Sequence, residues 1–291
     1  MFNRLSRSWQ LVTSSWNVLL QDKELLLFPL FSGVATLATV ASFLAPIIAI
    51  LVHSGGKFDP ETQHIAPYWY AVMFLFYVAT FFITYYFNVA VMHCAAIRMD
   101  GGDPTISDGF KGANSHALHI LGWAALSATV GLVLRAVEER LGLLGRIVVG
   151  LIGCAWAVVT YFAIPVLVFE RVGAGDAVRR SAELLKKTWG EAMVANVSTN
   201  VVFSYLSLLG MFPLGAAFYL AANGAPPVVC FGIGSFAIFY WLFLGVVSSA
   251  IKSIYQVALY RYATTGVVPA GFPEQIVMGS FAPKKKGFFG R

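Results

Sequence analysis

His93 and Cys94 stand side by side at the end of a long apolar run, and His116 and His119 follow across a short polar stretch. Four nitrogen and sulfur donors suit tetrahedral zinc. The i,i+3 spacing puts His116 and His119 on one helical face. Adjacent positions on a helix diverge by about 100°, however, so His93 and Cys94 point apart. The spacing also matches no familiar zinc pattern, and the quartet is the weak candidate in a chain otherwise expected to hold no metal. The neighbouring carboxylates Glu138 and Glu139 could be an acid/base pair, but Arg135 and Arg140 flank them and predict a salt-bridged turn. No nucleophile elbow, P-loop or dinucleotide-binding glycine pattern occurs. The residues predict no catalytic group and no cofactor.

A second set of polar residues lies inside apolar stretches. Thr84 and Asn88 are four apart; Asn196, Asn200, Ser204 and Ser207 form a stripe; Ser248, Ser249, Lys252 and Gln256 cluster later. Such groups either hydrogen-bond between membrane helices or line a solute path. No Asp or Glu accompanies them, which argues against ion- or proton-coupled transport.

These residues sit in elements set by composition. The chain has 291 residues, 58% of them hydrophobic and 12% charged. Soluble domains average about 45–50% apolar and about 25% charged. Five runs contain no Asp, Glu, Lys or Arg: 25–52, 65–97, 112–134, 147–169 and 192–251. A spanning helix needs about 20 apolar residues. The last run is long enough for two, broken at Asn223-Gly-Ala-Pro-Pro227. The expected fold is an all-α integral membrane domain over residues 1–266, with six spans at 25–52, 68–97, 117–136, 147–169, 194–221 and 228–260. A tail, 267–291, carries Lys284-Lys-Lys286. A soluble enzyme, a disordered chain and a β-barrel are excluded. Pro46, Pro165 and Pro213 predict kinks in spans one, four and five. Gly150-xxx-Cys154 and Gly153-xxx-Ala157 predict close helix packing in span four. Cys94, Cys154 and Cys230 read as small packed residues.

The start, Met1–Leu20, lacks the compact apolar core and cleavage site of a signal peptide. Sixteen of the 20 basic residues fall before span one, between spans two and three, between four and five, or from Lys252 near the end of span six onward. The positive-inside rule therefore predicts both termini in the cytoplasm. Arg135, Arg140 and Arg146, on the third loop, run against that bias. The formal charge of +6 reads as topology and attraction to anionic headgroups, not nucleic-acid binding.

Three segments between spans show helical periodicity, at 2–20, 105–116 and 176–189. In the first, Phe2, Leu5, Trp9, Val12, Trp16 and Leu19 recur at steps of three and four, away from Arg4 and Arg7. In the third, Val178, Ala182, Leu185 and Trp189 oppose Arg179, Arg180, Glu183, Lys186 and Lys187, with Asp176 expected as N-cap and Glu183–Lys187 as an i,i+4 pair. In the second, Ile106, Phe110, Ala113 and Ala117 repeat the spacing. Ser8–Trp16 and Ser181–Trp189 align without gaps, matching Ser, Leu and Trp. The layout reads as three repeats of an interfacial amphipathic helix followed by a membrane hairpin.

Asp22–Phe31, Gly101–Thr105 with Asp108-Gly109, Gly142–Ile147 and Lys187–Glu191 resemble a family of uncharacterised bacterial integral membrane proteins, known only as a domain of unknown function. The likeness runs from about Arg4 to Gly266. The layout is similar, more loosely, to the membrane domains attached to some glycerophosphodiester phosphodiesterases. The resemblance implies a bacterial inner-membrane, lipid-adjacent module and transfers no activity. The leading expectation is a non-catalytic module that engages the bilayer, anionic phospholipid or another membrane protein. Its contacts would be Arg4, Arg7, Trp9, Trp16, Arg179, Arg180, Lys186, Lys187 and Trp189. The alternative is a carrier or channel for a neutral or lipid-like solute.

Overall fold

The computed structural model describes residues 13–53, 67–187, 200 and 202–272. The described residues are helical, with no strand, and six helices are long and apolar enough to cross a membrane. The described residues fall into two compact units, one within 27–93 and 105–185 and the other within 13–26, 94–104 and 186–272.

The first of these units contains most of five helices. They are α2 (Leu27–His53), α3 (Pro67–Met99, whose last turns belong to the other unit), α4 (Ile106–Ser115), α5 (Ala117–Val159) and α6 (Ala163–Phe169). Most of α7 (Ala174–Lys187) lies here too. Rings fasten α4: Phe110 lies 5.5 Å from Phe28, 6.4 Å from Phe31 and 6.2 Å from Phe87, centroid to centroid. Aromatic pairs at such separations add to area burial. Further along α3, Val78 packs with Ala124 and Ala128 under Tyr77, Phe81 and Tyr85.

α5 is two spans. Gly142, at φ 57° and ψ −132°, interrupts it in a region open essentially to glycine alone. Helix was expected to stop near residue 136; instead it continues through Leu141. The Arg135–Glu139 pair, 3.0 Å at i,i+4, sustains those turns beyond the apolar run. Glu138 pairs with Arg146 at 3.5 Å, so the two glutamates neutralise two of the three arginines that opposed the charge bias. Trp123 and Trp156 stack at 6.2 Å and 9° between the two arms.

Span four breaks at Thr160–Phe162 before Pro165, as expected of a proline that lacks an N–H. Ser181 of α7 fills the break: its hydroxyl donates to the Val159 carbonyl at 2.6 Å and accepts the Phe162 N–H at 3.0 Å. Ser181 is fully buried. Ser181→Ala is expected to lower stability by about 1–3 kcal/mol, because two backbone groups lose their partner; the thermal midpoint in detergent measures it. Pro46, by contrast, lies inside an unbroken α2.

The second unit contains the helix at 13–21 (α1), the 3-10 turn Lys23–Leu26, the end of α3, the helix at 202–209 (α8), α9 (Met211–Ala222) and α10 (Pro227–Thr265). Span five, expected as one helix over 194–221, is described over Val202–Ala222, with a single turn at Gly210 whose backbone stays helical at φ −68° and ψ −17°. The hairpin α9–α10 turns through Asn223-Gly224, with Gly224 at φ 77°. The expected break falls there. The C-terminal half of α10 is the buried half: Ala250, Ile251, Ile254, Val257, Ala258 and Leu259 are all nearly inaccessible.

Candidate functional site

The histidine–cysteine quartet is not assembled. Among the described residues no group of three or more His, Cys, Asp or Glu could hold a metal ion. His93 instead lies against Gly112 of α4, so close that a Cβ built there would fall 2.4 Å from its Cγ. His116 is buried; its Nδ1 lies 2.8 Å from the Gly112 carbonyl and 2.9 Å from Ser115 Oγ. The Ser115 hydroxyl itself donates to Gly112 O, so Nδ1 carries the proton. His119 stands 6.4 Å away, ring to ring. The imidazoles near Gly112 serve the α3–α4–α5 junction.

That junction begins with a capping box. Thr105 Oγ1 accepts the Asp108 N–H at 3.3 Å, and Asp108 accepts the Thr105 N–H at 3.1 Å. The Thr105 hydroxyl donates to Asp108 Oδ2 at 2.7 Å, and that bond, with the one from the Thr105 N–H, holds the Asp108 carboxyl below the usual carboxylate range.

A charged cluster in the second unit was absent from the sequence reading. The Arg98 guanidinium forks onto both oxygens of Asp22 and reaches Asp103 as well. Asp22 is 8% exposed and Arg98 22%. Beside them Arg261, near the end of α10, binds Asp100 through both nitrogens, one bond measuring 2.7 Å. Arg261 depresses the Asp100 pKa through those hydrogen bonds. Bidentate arginine–carboxylate pairs fix orientation as well as charge. Here they tie the start of span one to the ends of spans two and six.

Among the described residues, α7 is the best exposed basic element. Ala177, Ser181, Leu184 and Leu185 are buried, and Arg179 and Lys186 face outward, Arg179 at 84% exposure. The buried stripe is turned from the expected one: Val178 and Ala182 lie at its edge because Ser181 docks on span four. Asp176 is not the cap; α7 starts at Ala174, and Asp176 occupies the first turn, where the helix dipole favours it. Glu183 pairs with Arg179 at 3.5 Å and Arg180 at 3.4 Å. Arg180 also binds Glu170, at 3.1 Å, which raises the arginine's pKa. Trp16, in α1, is half-buried. Arg4, Arg7, Trp9, Trp189, Asn196 and Lys284–Lys286 lie outside the described residues, as does the Lys187 side chain.

Thr84 donates to Thr80 O of its own helix at 2.9 Å, and Asn88 is also engaged. Asn200 and Ser204 face outward from span five. Lys252 is exposed and Gln256 half-buried on α10. Gly150, Cys154 and Ala157 also face outward, which corrects the expectation that this small-residue face packs within the chain and that Cys154 is a core residue.

Six apolar helices, a proline break satisfied by a neighbouring side chain, and ion pairs at helix ends define an all-α polytopic membrane protein. Residues 67–271 match the family of unknown function DUF6159, and the chain belongs to that family. The match begins after Asp22–Phe31, one of the segments that suggested the resemblance. No curated protein matches the chain.

Proposed function

We propose that this protein is a non-catalytic membrane module that engages anionic phospholipid through the outward face of α7. One observation carries the reading: α7 buries an apolar and serine face and leaves Arg179 and Lys186 outside. A basic helix anchored beside a span meets headgroups, and each basic residue near an anionic surface contributes about 1 kcal/mol. The charge bias among loops supports both termini, and α7, in the cytoplasm, and the resemblance to bacterial integral membrane proteins supports an inner-membrane setting. A partner membrane protein could dock on the same face in place of lipid.

The test is native mass spectrometry of the full chain in detergent, titrated with phosphatidylglycerol or phosphatidylcholine. Preferential retention of phosphatidylglycerol is expected, falling at least about thirtyfold in Arg179→Glu/Lys186→Glu, since loss of two basic residues alone removes about 2 kcal/mol. Equal retention of both lipids, or retention indifferent to the reversal, overturns the proposal.

A second reading, a carrier for a neutral or lipid-like solute, draws on the proline break in span four and on the outward Asn200 and Ser204. Solute flux into proteoliposomes distinguishes it.

A further inference from the structure

α10 is longer than the layer it crosses. Its 39 residues, Pro227–Thr265, measure about 58 Å at 1.5 Å per residue, against about 30 Å of hydrocarbon. From Ala250 onward the helix is largely enclosed, yet Lys252 is exposed while Ile251, Ser253, Ile254 and Tyr255 beside it are each 4% accessible or less. Lys252 also continues the open face of the helix. Ile238, Leu242, Gly245, Ser249, Lys252 and Gln256 recur at steps of four and three, one stripe of a helix, and none of them is buried. Ile238 and Leu242 are 56% and 60% exposed, apolar surface that acyl chains cover in a bilayer. Gly245 leaves the stripe open, since a Cβ built there would meet nothing within 4 Å.

The depth of Lys252 follows from its place in the helix. It lies 25 residues beyond Pro227, about 38 Å along the axis. With Pro227 at one edge of the hydrocarbon and a mean tilt of about 20°, Lys252 stands about 5 Å past the opposite edge. That is headgroup depth, since headgroups add about 5–7 Å on each side. Of the two cations of α10, Arg261 is bound by Asp100, whereas among the described residues no carboxylate pairs with Lys252. An ammonium offers three donors and no acceptor, and on a long stem it reaches from apolar surface to charge. We infer that Lys252 holds the phosphate of a phospholipid whose acyl chains lie along Leu242 and Ile238. Lys252 belongs to a different compact unit from Arg179, and the inference does not rest on the reading of α7.

Native mass spectrometry of the full chain in detergent tests it, with phosphatidylcholine and a diacylglycerol of the same chains supplied together. Phosphatidylcholine has no net charge, so it gives the basic face of α7 little to select. Preferential retention of phosphatidylcholine is expected, falling about fivefold in Lys252→Met, the effect of one basic residue. Lys252→Gln carries the test if the methionine variant fails to fold. Lys252→Arg should keep the preference, and so should Arg179→Glu/Lys186→Glu. Glycerophosphocholine, the same phosphodiester without acyl chains, should not displace the lipid. A preference unchanged by loss of the ammonium, or reduced as much by the α7 reversal, overturns the site. Displacement by equimolar glycerophosphocholine overturns its assignment to a lipid.

Discussion

Arg98→Ala is expected to be the most damaging single substitution at the helix rims, lowering stability by about 2–3 kcal/mol. Asp22 is 8% exposed and its carboxylate is bound by the Arg98 fork. Removing one partner of a buried pair leaves the other charge without compensation, at about 3–5 kcal/mol when both are fully buried. Water reaches a fifth of the Arg98 side chain, which sets the lower figure. Arg98→Lys should recover only part of the loss, because an ammonium cannot span two carboxylate oxygens and Asp103 together. Thermal midpoints in detergent, combined in a cycle with Asp22→Asn, measure the coupling. A cycle with no coupling would show the pair to be incidental. Asp103, 92% exposed, contributes little by comparison, since exposed pairs are worth about 0–1 kcal/mol.

Gly112→Ala is the second large effect. The new methyl group would meet His93 at Cγ, Cδ2 and Cβ, at 2.4, 2.6 and 2.8 Å. The Cβ is fixed to the backbone of α3, so a rotamer change cannot relieve all three contacts. Separation of α3 and α4 is expected, at about 1–3 kcal/mol, as for other overpacked sites. Gly122→Ala is the matched control: it meets nothing within 4 Å and gains helix propensity, so it should be neutral or stabilising by up to about 1 kcal/mol. In His93→Ala the cost of Gly112→Ala should shrink, because the obstructing ring is gone. A Gly112→Ala midpoint equal to that of the parent would remove the close approach from the account of this junction.

The six spans were legible because each depends on a local property, a run of apolar residues without charge. The proline break in span four was legible for the same reason. What closes it was not. Ser181 drew notice only as a match to Ser8, and nothing near it in sequence announces Val159 or Phe162 as partners. Tyr240 and Trp241 read as ordinary span aromatics, since their acceptors, the Leu206 and Ser207 carbonyls, lie 34 residues away. The rim cluster was hidden by distance too: Asp22 and Arg98 are 76 positions apart, and Asp100 and Arg261 are 161 apart. Periodicity carries no information over such separations, although a carboxylate at the very start of one span and an arginine at the end of the next gave a faint signal. The α7 stripe was misplaced by about one residue for a related reason. Hydropathy scores Ser181 as polar, whereas its two backbone bonds make it the most deeply buried position of its turn. The metal quartet failed because identity and spacing along the chain do not specify convergence.

The bend at Gly142 bears on how the protein is made. Spans three and four end and begin at Gly142 and Gly145, which leaves only Leu143 and Leu144 between them. Two residues cannot hold one finished span in lipid while the next waits in water. The pair therefore enters the bilayer as a single helical hairpin, its tip of Arg135, Glu138, Glu139, Arg140 and Arg146 held as one largely neutralised packet. A nascent chain halted between the two spans would present an apolar stub with no partner, the kind of species that cellular quality control degrades.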